Sequence, residues 1–168
     1  MNLSENFTLE EMLKSQTAER NGYKEQFTPE QEAIDNLKLL CEKILQPLRE
    51  HIALPLTISS GYRCNRVNGN VAGASSTSQH PKGQAADVEL VIDGVAHNIR
   101  LLQEFLKLGL EFDQVIIEYG ESIEKPAWIH FSYSNSHNRN MILRATEVNG
   151  MPHYEPKTKE EILKLIAP

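Results

Sequence analysis

The chain has 168 residues, of which 40% are hydrophobic and 24% are charged, a composition typical of a folded globular domain. Its 17 Lys and Arg residues against 23 Asp and Glu residues give a net charge of −6, which argues against a protein that binds duplex nucleic acid through a basic patch. A chain of this length buries about 70% of its unfolded surface, so it can fold without disulfides or a structural metal.

Two sequence features bear on where the chain is made. It contains only two cysteines, Cys41 and Cys64, and neither lies in the C-x-x-C spacing of zinc or redox sites. Residues 1–6 lack the basic start and the apolar run of a signal peptide, and the sequence has no run of about eighteen apolar residues that could span a bilayer. We therefore expect synthesis in a reducing cytoplasm and no membrane segment.

Helical patterns dominate the first third of the chain. Thr8 and Glu11 form a capping-box pattern that predicts a short helix within residues 7–20. A second cap begins at Thr28, and apolar residues then recur every three or four positions. This pattern predicts a long amphipathic helix from Pro29 to about Glu50.

Strand patterns follow from residue 54 onward. The predicted strands cover residues 56–60, 85–92, 114–119, 128–133 and 141–147. A loop is predicted for residues 65–79, a helix for Ala96–Leu108, and a last short helix that Thr158 caps and that runs to Ala167. Because helices and strands are grouped rather than strictly alternating, we expect an α+β fold with a largely antiparallel sheet.

Histidines are the first candidates for chemistry. A catalytic zinc ion needs three protein ligands, usually His nitrogens and carboxylate oxygens, and keeps a fourth position for water. Of the six histidines, His80 lies in a loop of small and polar residues, and His130 lies inside a predicted strand. An isolated strand histidine is more often a hydrogen-bonded core residue than a ligand, so His130 alone favours a structural role.

Three short motifs change that interpretation when they are taken together. They are S-G-Y-R at residues 60–63, S-Q-H-P-K-G-Q-A-A-D at residues 78–87, and W-I-H at residues 128–130. In this order they resemble the zinc D-alanyl-D-alanine carboxypeptidase and endolysin peptidase family, in its branch with a W-x-H third-ligand motif. That family shares its fold with the hedgehog signalling domain, and the resemblance covers roughly Asn6 to Arg144.

The resemblance implies a metal site and a domain organisation. His80, Asp87 and His130 would hold one zinc ion (Zn2+) per chain. The fold would be a hedgehog/DD-peptidase-like α+β domain, with a largely antiparallel sheet packed against helices. We expect a single domain over residues 1–168, with its core at about 6–147 and a C-terminal tail with a short helix over 148–168.

A general base is harder to assign. Family members commonly place a Glu three residues before the last His, where this chain has Ala127. Glu118 interrupts an apolar strand, and because an unpaired carboxylate facing a core is costly, it should meet a cation or the site. A branch of the family resembles this chain in carrying a D-Q-x-x-x-E strand, so we expect Glu118 to be the base, with Glu124 as the fallback. The alternative for Glu118 is a solvent-facing strand position.

Two further polar residues fall within the motifs. Arg63 could bind a substrate carboxylate through two parallel hydrogen bonds or stabilise the oxyanion of a tetrahedral intermediate; alone, it would be a surface arginine beside a turn. Ser78 resembles the family serine that hydrogen-bonds substrate, although a hydroxyl that caps a loop is equally open.

The resemblance implies a zinc metallopeptidase that hydrolyses peptidoglycan stem peptides at or near D-alanine, as a carboxypeptidase or an endopeptidase. The alternative is a zinc-stabilised binding or structural module of the same fold, which the missing Glu before Trp128 would support. A protein that acts on the cell wall without an export signal would resemble a phage or prophage lysis enzyme, made in the cytoplasm and released to the wall.

Overall fold

A computed structural model gives the structure of the chain and describes residues 1–71 and 77–166. Its helices, in chain order, are α1 (Leu9–Met12), α2 (Gln16–Asn21), α3 (Gln31–Leu40), α4 (Gln46–Ile52), α5 (Asn65–Gly69), α6 (Asn98–Leu108) and α7 (Lys159–Leu163). Its strands are β1 (Thr57–Ser60), β2 (Ala85–Glu89), β3 (Val91–Ile92), β4 (Val95–Ala96), β5 (Gln114–Glu118), β6 (Trp128–Ser132), β7 (Met141–Val148) and β8 (Met151–Lys157).

Six of these strands form one sheet in the order β1-β2-β6-β5-β7-β8, and β3 and β4 pair as a separate small hairpin. Every neighbouring pair in the six-stranded sheet is antiparallel except β5 and β7, which are parallel. The predicted α+β fold with a largely antiparallel sheet is therefore confirmed.

The hydrophobic core lies between one face of this sheet and helices α3, α4 and α6. Leu37, Leu48 and Leu102 are fully buried on the helices, and Ile117 and Phe131 are fully buried on the strands. Strand side chains alternate between the two faces of a sheet. The core residues of β2, β5 and β6 therefore alternate with Asp87, Glu118, Trp128 and His130, which share the opposite face.

The N-terminal helices differ from the prediction in two respects. The predicted helix within residues 7–20 is two short helices, because the hydroxyl of Ser15 accepts a hydrogen bond from Ala18 N and starts α2 anew. The long predicted helix begins at Gln31 and contains a π-helical turn over Cys41–Leu45, immediately before Pro47 in the first turn of α4. A π-helical turn is one of the ways in which a helix accommodates local disruption such as a proline.

The middle and the C-terminal part also differ from the prediction. Helix α5 occupies the start of the predicted loop over residues 65–79, of which residues 72–76 lie outside the described residues. The predicted strand over 85–92 ends at Glu89, and a hairpin follows it. Residues 151–157, expected to be part of a tail, form β8 at the edge of the sheet.

The last helix confirms its predicted cap. Thr158 accepts from Glu161 N, and the Glu161 side chain accepts from Thr158 N. The helix ends at Leu163, and the predicted end, Ala167, lies outside the described residues. Among the described residues, no helix combines the length and the apolar character needed to cross a membrane.

Candidate active site

Three side chains meet on the open face of the sheet, and we call them the ligand triad: His80, Asp87 and His130. His80 Nε2 lies 3.3 Å from Asp87 Oδ1 and 3.3 Å from His130 Nδ1, and His130 Nδ1 lies 3.0 Å from Asp87 Oδ1. The three residues are only 2%, 4% and 7% exposed. A tetrahedral zinc ion with bonds of about 2.0–2.1 Å requires its ligand atoms to be about 3.3 Å apart. The donor set and its spacing therefore fit zinc.

Sheet register brings two members of the ligand triad together. Asp87 and His130 are direct partners across the antiparallel pair of β2 and β6. His80 approaches from a 3₁₀ turn, His80–Lys82, that lies just before β2. Its Nδ1 donates a hydrogen bond to Gly61 O at 2.6 Å, which fixes the tautomer and leaves Nε2 with its lone pair facing Asp87 and His130.

The turn that carries His80 requires glycine at its end. Gly83 has a φ of +68°, and a Cβ there would lie 2.2 Å from the carbonyl oxygen of Ala33 on α3. On the same helix, Asn36 Nδ2 donates to Lys82 O at 2.9 Å. The glycine of the second motif therefore allows the His80 turn to lie directly against α3.

The S-G-Y-R motif supports the ligand triad from the other side. A Cβ at Gly61 would lie 2.5 Å from Met12 O, and Tyr62 N donates to the same oxygen at 2.9 Å. Held in this way, Arg63 donates from Nη2 to Asp87 Oδ2 at 2.8 Å and from Nε to Ser60 Oγ at 3.0 Å. Arg63 is thus bound to the carboxylate oxygen that does not face the two histidines.

The electrostatics favour the metal-binding protonation state of two members of the ligand triad, Asp87 and His80. Burial alone would raise the pKa of Asp87, but the neighbouring His80 and His130 hold that pKa well below its usual range. Burial also lowers the pKa of His80, and Asp87 opposes this shift only in part. Metal ligands must be an ionised carboxylate and neutral imidazoles, and both shifts favour those forms near neutral pH.

Glu118 lies beside the ligand triad on the same face of the sheet. It pairs with Trp128 across β5 and β6, and the indole Nε1 of Trp128 donates to Glu118 Oε2 at 2.8 Å. Burial raises the pKa of Glu118, and the negative charge of Asp87 raises it further. The carboxylate is thus partly buried in the site, and it does not project into solvent.

The fallback base, Glu124, lies elsewhere. It belongs to the loop between β5 and β6, where the Ser122 hydroxyl donates to its carboxylate and lowers its pKa. It does not line the cleft that contains the ligand triad. Of the two carboxylates that the sequence offers, the structure brings only Glu118 to the site.

The ligand triad lies in an open cleft of about 1090 Å³. One arm of the cleft, next to α2, is lined by Lys14, Arg63 and Ser78 among others. The other arm follows β5, β7 and β8, and its lining includes Tyr119, Glu147 and Tyr154, three residues that sequence analysis missed. Glu147 ends the strand that was predicted over residues 141–147, so the sequence placed it on the sheet but not in the site. The two prolines of β8 argue against a strand there, so the strand that carries Tyr154 was not predicted.

A second missed feature is the ion pair of the motif aspartate. Asp113, the first residue of the D-Q-x-x-x-E pattern, accepts from Arg139 Nε at 2.7 Å and Nη2 at 2.6 Å. These bonds outweigh the effect of burial and lower the pKa of Asp113. The motif aspartate therefore fixes the segment that carries Arg139, between β6 and β7.

The two cysteines take no part in this site. Both are free and buried, and burial, aided by nearby Glu11 and Glu42, raises the pKa of Cys41 to about 12. A thiol with so high a pKa is not a nucleophile at neutral pH.

A family model described as peptidase M15 matches residues 5–124, well over half of the chain. The matched segment contains His80, Asp87 and Glu118 and ends before the W-I-H motif that supplies His130. A comparison with curated proteins finds no match.

Proposed function

Because the chain belongs to the peptidase M15 family, we propose that it is a zinc-dependent peptidase that hydrolyses peptidoglycan stem peptides at or near D-alanine. The observation that carries this proposal is the ligand triad, in which two imidazole nitrogens and a carboxylate oxygen lie 3.0–3.3 Å apart in an open cleft. His80 Nε2, Asp87 Oδ1 and His130 Nδ1 would hold the metal. When bound, zinc supplies Lewis-acid polarisation of a carbonyl group and makes water more acidic.

Glu118 is the residue that we assign to proton transfer. Trp128 holds Oε2, so Oε1 is the oxygen that would take a proton from water and pass it to the leaving amine. Burial raises the pKa of Glu118, which makes the carboxylate a stronger base than an exposed one. Its position on the strand next to His130 replaces the carboxylate that family members commonly place where this chain has Ala127.

Arg63 and Ser78 are assigned to binding. Arg63 orients Asp87 through Nη2, and its Nη1 remains for a carboxylate or a developing oxyanion of the substrate. Ser78 lines the cleft two residues before His80, where its hydroxyl would hydrogen-bond the peptide backbone.

A zinc-stabilised binding module of the same fold is the alternative. Its main support was the missing carboxylate at Ala127. Glu118, which lies in the cleft and is bound to Trp128, supplies a carboxylate from another strand, and this favours the enzyme. Cell-wall peptides lie outside the cytoplasm, so the proposal also requires that the protein reach the wall, as a phage or prophage lysis enzyme does.

Mass spectrometry of defined muropeptides incubated with the zinc-loaded protein tests this proposal. Loss of a terminal D-alanine would identify a carboxypeptidase, and a cut inside the stem or crosslink would identify an endopeptidase. Muropeptides that stay intact in the presence of zinc-loaded protein would contradict the enzyme and favour the binding module.

A further inference from the structure

The arm of the cleft along β5, β7 and β8 carries three side chains that the proposed mechanism does not use, Tyr119, Glu147 and Tyr154, and they lie beside Trp128 of β6, which bonds Glu118. We call Tyr119, Trp128, Glu147 and Tyr154 the aromatic shelf. All four line the same cleft as the ligand triad. The family match does not include three of them, Trp128, Glu147 and Tyr154.

Sheet register explains how Tyr154 enters this arm. Glu118 on β5 is the partner of Ala145 on β7, and Ala145 is the partner of Tyr154 on β8. The three side chains therefore share one face of the sheet. Because the middle residue is a fully buried alanine, nothing large separates the Tyr154 ring from Glu118. Burial and the charge of Glu118 raise the pKa of Tyr154, which agrees with this placement.

The backbone conformation of Tyr119 fixes its ring as a second side of this arm of the cleft. Tyr119 has a φ of +51°, and its backbone N–H donates to Ala145 O at 3.1 Å. A non-glycine residue in this region costs about 1–2 kcal/mol, and such conformations cluster at functional sites. Here the conformation places the ring edge-on to Trp128, with the ring centres 5.7 Å apart.

The charge of the aromatic shelf is negative and uncompensated. Glu147 is exposed, and it forms no salt bridge with any residue in ranges 1–71 and 77–166. Glu147 follows Ala145 by two residues, so it lies diagonally across from Tyr154. The basic residues that line the cleft, Lys14 and Arg63, belong to the other arm.

We propose that the aromatic shelf binds a substrate side chain that ends in a primary ammonium group, with its methylene groups on the Tyr119, Trp128 and Tyr154 rings and its ammonium group at Glu147. Aromatic faces attract cations, and a long aliphatic stem packs well on rings. A carboxylate at the rim adds a charge-assisted hydrogen bond. This inference rests on the proposed function, because it assigns the substrate class of that site.

Two peptides test the aromatic shelf. They are a stem pentapeptide with lysine at its third position and the same peptide with Nε-acetyl-lysine, which keeps the stem but loses the charge. Trp128 is the only tryptophan of the chain, so its fluorescence reports binding at the shelf directly. The titration uses the zinc-loaded Glu118→Gln variant, in which the amide oxygen can still accept from the indole and turnover should be about 10²–10⁴-fold slower.

We expect the lysine peptide to bind about fivefold to tenfold more tightly than the acetylated peptide, the size of one cation–π contact with a rim carboxylate. Adding Glu147→Gln or Tyr154→Ala should reduce this preference to about twofold or less. Glu155→Gln is the matched control, because Glu155 is next to Tyr154 on β8 but on the opposite face. It should keep the full preference.

The outcomes separate this inference from the proposed function. Equal binding of the two peptides, no change in Trp128 fluorescence with either, or a preference that survives Glu147→Gln would overturn the shelf. When both peptides are mixed with wild-type protein and their cleavage is measured by mass spectrometry, the lysine peptide should show the higher kcat/KM by the same factor. If wild type cleaves neither peptide while Trp128 still reports the preference, the peptidase is wrong and the aromatic shelf stands.

Discussion

The two parts of the cleft are built in opposite ways. The ligand triad is buried, and its members are fixed by hydrogen bonds to Gly61 and Arg63 and to one another. The aromatic shelf is open: Tyr154 is 42% exposed and Glu147 forms no salt bridge within the described residues. A buried polar group is costly unless every bond is made, so the ligand triad must be preformed, whereas the exposed members of the shelf, Glu147 and Tyr154, can vary with the substrate. Substitutions in the ligand triad should therefore abolish cleavage, and substitutions in the aromatic shelf should change the preference among substrates.

The largest effect is expected from Asp87→Asn, which keeps the shape of the side chain and removes the charge that faces both histidines. We expect the zinc content to fall from about one per chain to less than about a tenth, and cleavage to fall by at least about 1000-fold, because the lost Lewis acid contributes several kcal/mol. Metal analysis and peptide cleavage measure both. Asp93→Asn, in the exposed turn between β3 and β4, is the control. A variant that keeps its zinc would refute the ligand triad.

Glu118→Gln should separate chemistry from metal binding. The variant should keep its zinc and its fold and lose about 10²–10⁴-fold in kcat, the usual size of general acid–base catalysis. Glu124→Gln is the comparison, because Glu124 lies outside the cleft, and its kcat should stay within about twofold of wild type. A large loss of kcat in Glu124→Gln with little change in Glu118→Gln would assign proton transfer to Glu124 instead.

Arg63→Lys should give an intermediate effect. The guanidinium of Arg63 donates to Asp87 and to Ser60 at the same time, and a lysine ammonium group cannot reproduce this geometry. We expect zinc affinity or kcat/KM to fall by about 10–100-fold, as is typical of residues that orient metal ligands. Arg66→Lys changes an exposed arginine that pairs with Glu25 at 3.2 Å, and it should leave both quantities unchanged. Equal effects of the two substitutions would show that Arg63 does not orient Asp87.

The smallest effect concerns the turn behind the ligand triad. Gly83→Ala places a methyl group against Ala33 O as well as straining a positive φ, so we expect the free energy of unfolding to fall by about 2–4 kcal/mol. Gly94→Ala has a similar φ, +79°, but open space around it, and should cost only about 1–2 kcal/mol. Denaturant unfolding measures both. Equal losses would mean that contact with α3 does not hold the His80 turn.

The sequence was most informative where residue chemistry leaves few choices. His80 was predicted in a loop of small and polar residues, Asp87 and His130 were predicted on strands over 85–92 and 128–133, and the resemblance supplied their grouping as metal ligands. Glu118 was predicted from the cost of burying a carboxylate in an apolar strand, and it lies partly buried in the cleft beside Trp128.

The sequence was least informative where tertiary context overrides local pattern. Pro152 and Pro156 argue against a strand, yet both fit β8 because it is an edge strand with only one neighbour. Tyr154 was missed for the same reason. The ion pair of Asp113 with Arg139 joins residues 26 positions apart in the chain, and periodicity carries no information about such pairs.

Zinc titration of protein stripped of metal by a chelator tests the central claim most directly, with stem-peptide cleavage followed by mass spectrometry at each step. If the ligand triad holds a catalytic zinc ion, the stripped protein should not cleave the peptide. Cleavage activity should then rise linearly with added zinc and reach a plateau at about one zinc per chain. Undiminished cleavage by the stripped protein, or a plateau of bound zinc without any cleavage, would contradict a catalytic metal held by His80, Asp87 and His130.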